Sequence, residues 1–363
     1  MKKLTVQALA LITASAISMT SCKKSNSSAE QQHNNPNDDN GKTMTTFMQA
    51  HAPQFQSFSV DAGAGGSFTS TKGIKYTIPA GVFETTAGVA VTGSVTVAVK
   101  EITSPSEMVF GDKPTLASDG RMLLSYGEFF VKAAQGNQEL RLKRDSALKV
   151  QVPAKPQNGN GQEIPMWDGD STTTFSLSGY DYLNTAVTIP VQAPVHRGIA
   201  WNQISASYAF FNSGNGTLDF KIDSLVQWRN CDAIVSNAAV KTTFLGYFNS
   251  HYNSQTSTDY QGDQPTSLYF KPHNQNTLIK LYDIILNATG TNQGFISYEN
   301  AMPIGLEGTF LAMSTQNGKF YAEMKDGIIA APIGANNYTT LSFDPQEVSE
   351  TDMVNLIISL NSK

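Results

Sequence analysis

The chain has 363 residues, 40% of them hydrophobic and 10% aromatic, enough apolar material for a core in each of two domains. Charged residues reach only 15%, against roughly 25% in an average soluble domain, so Ser, Thr, Asn, Gln and Gly supply much of the surface. A formal charge of −5 implies no strongly basic face and argues against a nucleic-acid partner, and two cysteines exclude a disulfide framework or a cysteine zinc site.

Met1-Lys2-Lys3 is a short basic start, and residues 4–17 are mostly apolar. That run falls short of the roughly 20 residues that cross a bilayer and fits the apolar region of a secretory signal. Met19-Thr20-Ser21-Cys22 then resembles the lipobox of bacterial lipoproteins, with Met19 where Leu is usual and Ser21 where Gly or Ala is usual. The resemblance implies a signal peptide over 1–21 and an acyl anchor on Cys22, so the membrane is the expected partner through that residue. Downstream, 23–43 holds no aromatic and no aliphatic larger than Ala29, so it cannot fold alone. Residues 22–43 read as a disordered polar tether with a reach of roughly 25 Å. Surface-exported lipoproteins of the Bacteroidota often carry acids just after the cysteine, whereas Lys23, Lys24 and Ser25 stand here. The expected address is the bacterial cell envelope, lipid-anchored at the outer membrane, facing the periplasm or the surface.

Residues 44–53 form a short helical or irregular lead-in, and from Phe55 onward period-2 alternation dominates. Val95, Val97 and Val99 alternate with Thr96, Ala98 and Lys100, and Leu148, Val150 and Val152 alternate with Lys149 and Gln151. These are strands with one buried face. Turns are marked by Gly63-Ala64-Gly65-Gly66, Thr92-Gly93, Asp119-Gly120 and Gln135-Gly136-Asn137. The fold class is mainly β: two β-sandwich-like domains after the signal and tether, at 44–154 and 163–363, joined by the Gly-, Asn- and Pro-rich stretch 155–162. Further strands follow near 174–178, 205–211, 217–222, 241–245, 267–270, 278–286, 309–313, 320–324 and 338–343. The polar stretch 249–264 reads as a long loop, either simply exposed or functional. A short C-terminal helix closes the chain. Ser349 and Asp352 resemble a capping box, Val348 and Met353 a hydrophobic staple, and Met353, Leu356, Ile357 and Leu360 make one apolar docking stripe.

Gly65-Gly66, followed by Gly73-Ile74-Lys75-Tyr76-Thr77-Ile78-Pro79-Ala80-Gly81-Val82-Phe83, is similar to the β-sandwich module of ankyrins and netrin receptors. In that module the task is protein–protein contact. The sandwich followed by Trp228-Arg229-Asn230-Cys231-Asp232 also resembles uncharacterised envelope lipoproteins of the Bacteroidota, a resemblance that implies an address and supplies no activity.

The chemistry-bearing candidates are few. Cys231 would need a neighbouring base to act as a nucleophile, and the alternative is a buried small hydrophobe, with Asn230 and Asp232 bonding backbone at a strand end or turn. Trp167-Asp168-Gly169-Asp170-Ser171 could open a calcium loop or form a hairpin turn. Trp167, Trp201 and Trp228 could stack on sugar rings or anchor cores. No two histidines have metal-ligand spacing, and no nucleophile elbow, phosphate loop or dinucleotide fingerprint is present. Thus no catalytic residue, metal or cofactor is assigned. The expected function is a non-enzymatic envelope scaffold or protein-interaction module. Its alternative is a glycan-binding or glycan-processing lipoprotein.

Overall fold

A computed structural model describes residues 39–156, 163–170, 174–175, 195–196, 198–235, 239–257, 264–285, 290–334 and 337–363. Cys22, the expected signal, most of the tether and much of the 155–162 stretch lie outside the described residues. Helix α1 (Asp39–His51) comes first. It starts inside the expected tether, because Met44, Phe47 and Met48 share one face and the chain can bury them; Met44 and Phe47 are both under cover. Ala52-Pro53 ends it, since a residue before proline avoids helical backbone.

Twelve strands build the first sheet: β1 (Gln56–Asp61), β2 (Gly66–Thr69), β3 (Lys75–Ile78), β4 (Phe83–Thr85), β5 (Ser94–Ile102), β6 (Leu123–Gln135), β7 (Gln138–Leu142), β8 (Leu148–Pro153) and β9 (Glu163–Asp170), then three more after a two-residue pair, β10 (Thr174–Phe175) with β11 (Val195–His196). These three are β12 (Ala200–Asn212), β13 (Thr217–Ile222) and β14 (Trp228–Ile234). Their spatial order is β1-β5-β6-β14-β9-β12-β13-β8-β3-β2, with β7 and β4 branching from β6. First and last strands are consecutive in the chain, and the Phe58 and Phe68 rings stack at 4.1 Å, so the sheet curls back around one core. Val95, Val97, Val99, Leu148, Val150 and Val152 all point into that core, as their alternation predicts.

The boundary expected at 155–162 falls inside this sheet. β8 before it and β9, β12, β13 and β14 after it belong to the same ladder, and the same core takes residues from Val60 to Ala233. The change of core comes near 235–241 instead. By contact, residues 35–363 make one unit.

The rest forms two five-stranded sheets. One joins β15 (Lys241–Phe248), β18 (Asp283–Ile284), β19 (Gly294–Ile296), β20 (Met302–Pro303) and β23 (Tyr338–Phe343). The other runs β17 (Ile279–Leu281), β16 (Thr266–Pro272), β21 (Glu307–Gln316), β22 (Lys319–Ile328), β24 (Gln346–Val348). Phe244, Phe248, Phe270, Phe295, Phe310 and Phe343 belong to the second core. A helical layer then covers residues such as Tyr269, Leu311 and Met313: α1, α2 (Pro105–Phe110, with Pro105 in the first turn) and α3 (Glu350–Ser359). On α3, Met353, Ile357 and Leu360 are buried as the stripe predicts, and Ser349 Oγ accepts the Asp352 N–H. The stretch 249–257 is less exposed than its composition implies. Tyr252 and Asn253 are buried, and Asn253 Nδ2 donates to the Thr315 carbonyl at 2.7 Å.

Candidate functional site

The two cores meet along the face of β6 and β14 that points away from the sandwich interior. Their ladder pairs Asn230 with Glu128 but Asp232 with Ser125, so β6 carries one extra residue between them. Tyr126 and Gly127 form that bulge. Gly127 has φ 136°, and a Cβ there would lie 2.6 Å from the Phe129 ring, so the position requires glycine. The bulge restores the alternation so that Ser125, Glu128, Asn230 and Asp232 share one face, while Tyr126, Phe129 and Cys231 face the sandwich core.

That face is roofed by the second half of the chain. The Ser125 N–H donates to the Asn276 carbonyl at 2.9 Å, Thr277 Oγ1 donates to the Leu123 carbonyl, and Asn276 Nδ2 donates to the carbonyls of Ser125 and Thr103. Under this roof Glu128, Asn230 and Asp232 are each 0% exposed. Asn230 Nδ2 donates to Asp232 Oδ2, yet both Glu128 oxygens, Asp232 Oδ1 and Asn230 Oδ1 have no hydrogen-bond partner. Burial pushes the Asp232 carboxyl up to about 7, with hydrogen bonds from Ser125 and Asn230 holding it down. Glu128 rises well above the carboxylate range, first through burial and then through the charge of Asp232. Burial pushes the Lys113 ammonium down, while Asp112 and Glu128 pull it up.

A cleft of about 280 Å³ opens beside the cluster, lined by Lys72, Thr103, Ser125, Tyr126, Lys155 and Asn276 among others. Lys72 is not a free cation there. Its Nζ lies 2.6 Å from both Glu107 oxygens and also donates to Thr103 Oγ1 and the Glu101 carbonyl. A second cleft, of about 210 Å³, lies under α1, where Lys280 and Asp112 pair at 2.7 Å beside Tyr269 and Gln264.

The residues nominated from sequence fall into place around this junction. Trp167 and Trp201 are 1% and 0% exposed, and each indole N–H donates to a backbone carbonyl, of Asp232 and Pro114 respectively, at 2.9 Å. Trp228 is half-buried against the same cluster, with Phe130 at 5.4 Å and Lys113 over its ring. The three do come together, but as a packed junction around Gly169, and the two buried ones have no ring face for a sugar. A Cβ at Gly169 would meet Ile199, Trp201 and Trp228 at 2.4, 2.7 and 2.8 Å. Asp168-Gly169-Asp170 is therefore strand β9, neither a calcium loop nor a hairpin turn, and Asp168 pairs with Arg229. Trp228 opens strand β14, and Asn230 and Asp232 lie inside it, where the Asn230 amide donates to the Asp232 carboxylate. Cys231 is a buried free thiol raised by burial, with no activating base beside it.

Glu128 escaped the sequence reading. The signal was available: one carboxylate directly after a glycine inside the otherwise uncharged run Leu123-Leu124-Ser125-Tyr126-Gly127-Glu128-Phe129-Phe130. Among the described residues no three His, Cys, Asp or Glu side chains form a metal-holding group, and no described helix is long and apolar enough to cross a membrane. Compared with protein-family models, curated proteins and solved structures, the chain matches none.

Proposed function

We propose that the chain is a lipid-anchored protein of the bacterial envelope, held by Cys22, whose folded body acts as a non-enzymatic interaction module. The observation that carries the choice over a glycan binder is the use made of the tryptophans. Trp167 and Trp201 are enclosed with their N–H groups satisfied, so they offer no stacking platform. Solvent meets other apolar groups instead: Tyr208 (39% exposed) and Phe210 (49%) alternate on one face of β12. Paired apolar side chains on a strand face suit contact with another protein. Seating of α1 by Met44 and Phe47 supports the anchor, because a tether from Cys22 would then pull on a helix packed into a core.

Two measurements test this. An alkyne fatty acid fed to cells should label the wild-type chain and not Cys22→Ala, and equal labelling of both ends the anchoring claim. A photocrosslinker at position 208 should trap a defined envelope protein, with the adduct lost in Phe210→Ala. Reproducible binding on a glycan array with no protein adduct would turn the reading to its glycan-handling alternative.

A further inference from the structure

The cluster under the junction has more acceptors than donors, and the donors it holds, Asn230 Nδ2 and Ser125, both serve Asp232. Glu128 Oε1 and Oε2, Asp232 Oδ1 and Asn230 Oδ1 are four enclosed oxygens with no donor. Asp232 is partly compensated by Asn230 and Ser125, whereas both oxygens of Glu128 lost their hydration with no hydrogen bond in return, a situation native interiors avoid. The nearby cations do not fill the gap. Lys113 Nζ is directed to the carbonyls of Asp112 and Gly198, Lys72 is engaged by Glu107, and Arg229 by Asp168 and Asp223.

We propose that Glu128, Asn230 and Asp232 bind a hard divalent cation, of which Ca²⁺ fits best. Two carboxylates and an amide carbonyl are the oxygen donors such ions take, and with no imidazole or thiolate in the set, softer metals are disfavoured. Binding releases the carboxyl protons to solvent, so that two negative charges meet a divalent ion, and the amide is held in place by its own Nδ2 bond to Asp232. Calcium takes about six to eight oxygens, so water completes the shell. The cleft has Ser125, the ladder partner of Asp232, in its wall but none of the three ligands, so the ion and its water enter when the Asn276–Thr277 roof opens. With only three protein ligands, two of them charged, the site belongs with the weak extracellular calcium modules, a Kd on the order of 10⁻⁴ M. The ion would tie β6 to β14 directly beneath the segment that joins the two cores. This inference goes beyond the proposed function and does not depend on it.

Terbium is a suitable probe, because Trp167 is the ladder neighbour of Asn230 and its indole can sensitise a bound ion. The full chain in detergent, stripped with EDTA and dialysed, should give saturable terbium emission on indole excitation at one ion per chain. Calcium should displace it and raise Tm by several degrees, whereas KCl of equal ionic strength should not. Glu128→Gln and Asp232→Asn should each weaken binding by roughly tenfold or more. Trp167→Phe should dim the emission and keep the calcium-dependent Tm shift. Where the carboxylate variants do not fold, the wild-type titration and Trp167→Phe decide. No emission and no Tm shift at about 5 mM calcium would overturn the proposal, since that is far above the expected Kd. So would equal responses in wild type and both carboxylate variants, the mark of surface ions, or a Tm that rises on acidification but ignores calcium, the mark of protons filling the cluster.

Discussion

The sandwich is antiparallel throughout its described ladders and the second core adds one parallel pair, β15 with β23, yet the larger difference is in how many faces each strand hides. β8 alternates buried and exposed residues along its length, whereas all seven residues of β16 are buried. The reason is the helical layer. Leu268 and Phe270 face the inter-sheet core and Tyr269 faces the helices, so β16 has no solvent side. Polar residues in the second half are consequently enclosed and matched to one another: Thr266 Oγ1 meets Ser314 Oγ at 3.0 Å and accepts the Asn253 N–H at 2.9 Å. β6 and β14 stand between the two cases, with one face in the sandwich and one under the junction. Among the described residues, four buried side-chain oxygens of Glu128, Asn230 and Asp232 are left there without donors.

The largest effect that sharpens this comparison is a lesion at the junction. Trp201→Ala would empty the space between Trp167, Ile199 and Ala117 and abandon the Pro114 carbonyl, a loss of about 3–5 kcal/mol. Because residues 35–363 make one contact unit, fluorescence and circular dichroism should follow one transition that shifts as a whole. Phe310→Ala, whose ring stacks on Phe244 at 4.9 Å, should do similar damage from inside the second core. Two resolved transitions, with each lesion moving only its own, would restore the boundary between separate domains that the linker at 155–162 led us to expect.

Gly169→Ala is the next step down. The added methyl meets two tryptophans and an isoleucine, groups that can shift only by moving the junction, and about 1–3 kcal/mol should be lost in thermal or urea unfolding. Gly93 provides the contrast on the sandwich rim, where a Cβ meets nothing within 4 Å and the strain comes from φ 78° alone. Gly93→Ala should therefore cost about 1 kcal/mol. A Gly169→Ala penalty no larger than that at Gly93 would mean that the junction is loosely packed.

This contrast also explains what was legible beforehand. One-sided strands announce themselves, and Val95, Val97 and Val99 or Ile74, Tyr76 and Ile78 could be assigned to a face without the fold. So could α3, because cap, staple and stripe are local signals. What could not be read was which side of 155–162 a strand would join, since pairing between β8 and β13 depends on distant partners. Gly169 looks like a turn residue in sequence and is in a strand, and Gly127 lies in the bulge that no sequence signal marked. The acid cluster was half visible in Asn230 and Asp232. Its other half, Glu128, is brought opposite by a ladder and a bulge that leave no periodic trace.

A smaller effect probes the price of two-sided burial. Lys271 on β16 is enclosed, with Nζ donating to the carbonyls of Pro272 and Lys363, and burial pushes its ammonium down to about 8. The folded state thus binds its proton less tightly than the unfolded chain. Stability is reduced below pH 8, recovers as pH rises from 8 towards 10.5, and carries no contribution from this group beyond. Lys271→Met should raise stability at neutral pH by on the order of 1–2 kcal/mol, the two lost carbonyl bonds offsetting part of the gain. The difference from wild type should shrink across pH 8 to 10.5 in urea titrations. A constant difference across that window would mean that Lys271 is ionised as readily folded as unfolded.

The smallest effect tests whether the helical layer depends on local signals or on its contacts. Ser349 caps α3 twice over: its Oγ accepts the Asp352 N–H at 3.1 Å and donates to Asp352 Oδ2 at 2.7 Å. Both groups are exposed, so water replaces what is removed, and Ser349→Ala should cost about 1 kcal/mol. Met353, Ile357 and Leu360, by contrast, are fully enclosed against α2 and β22, and the helix is held chiefly by them. Native-state hydrogen exchange separates the two contributions. In Ser349→Ala the amides of the first turn should exchange faster while those near Ile357 keep their protection, because fraying at the cap does not lift the apolar stripe. Loss of protection along the whole of α3 would show that the cap, and not the stripe, keeps this helix on the protein.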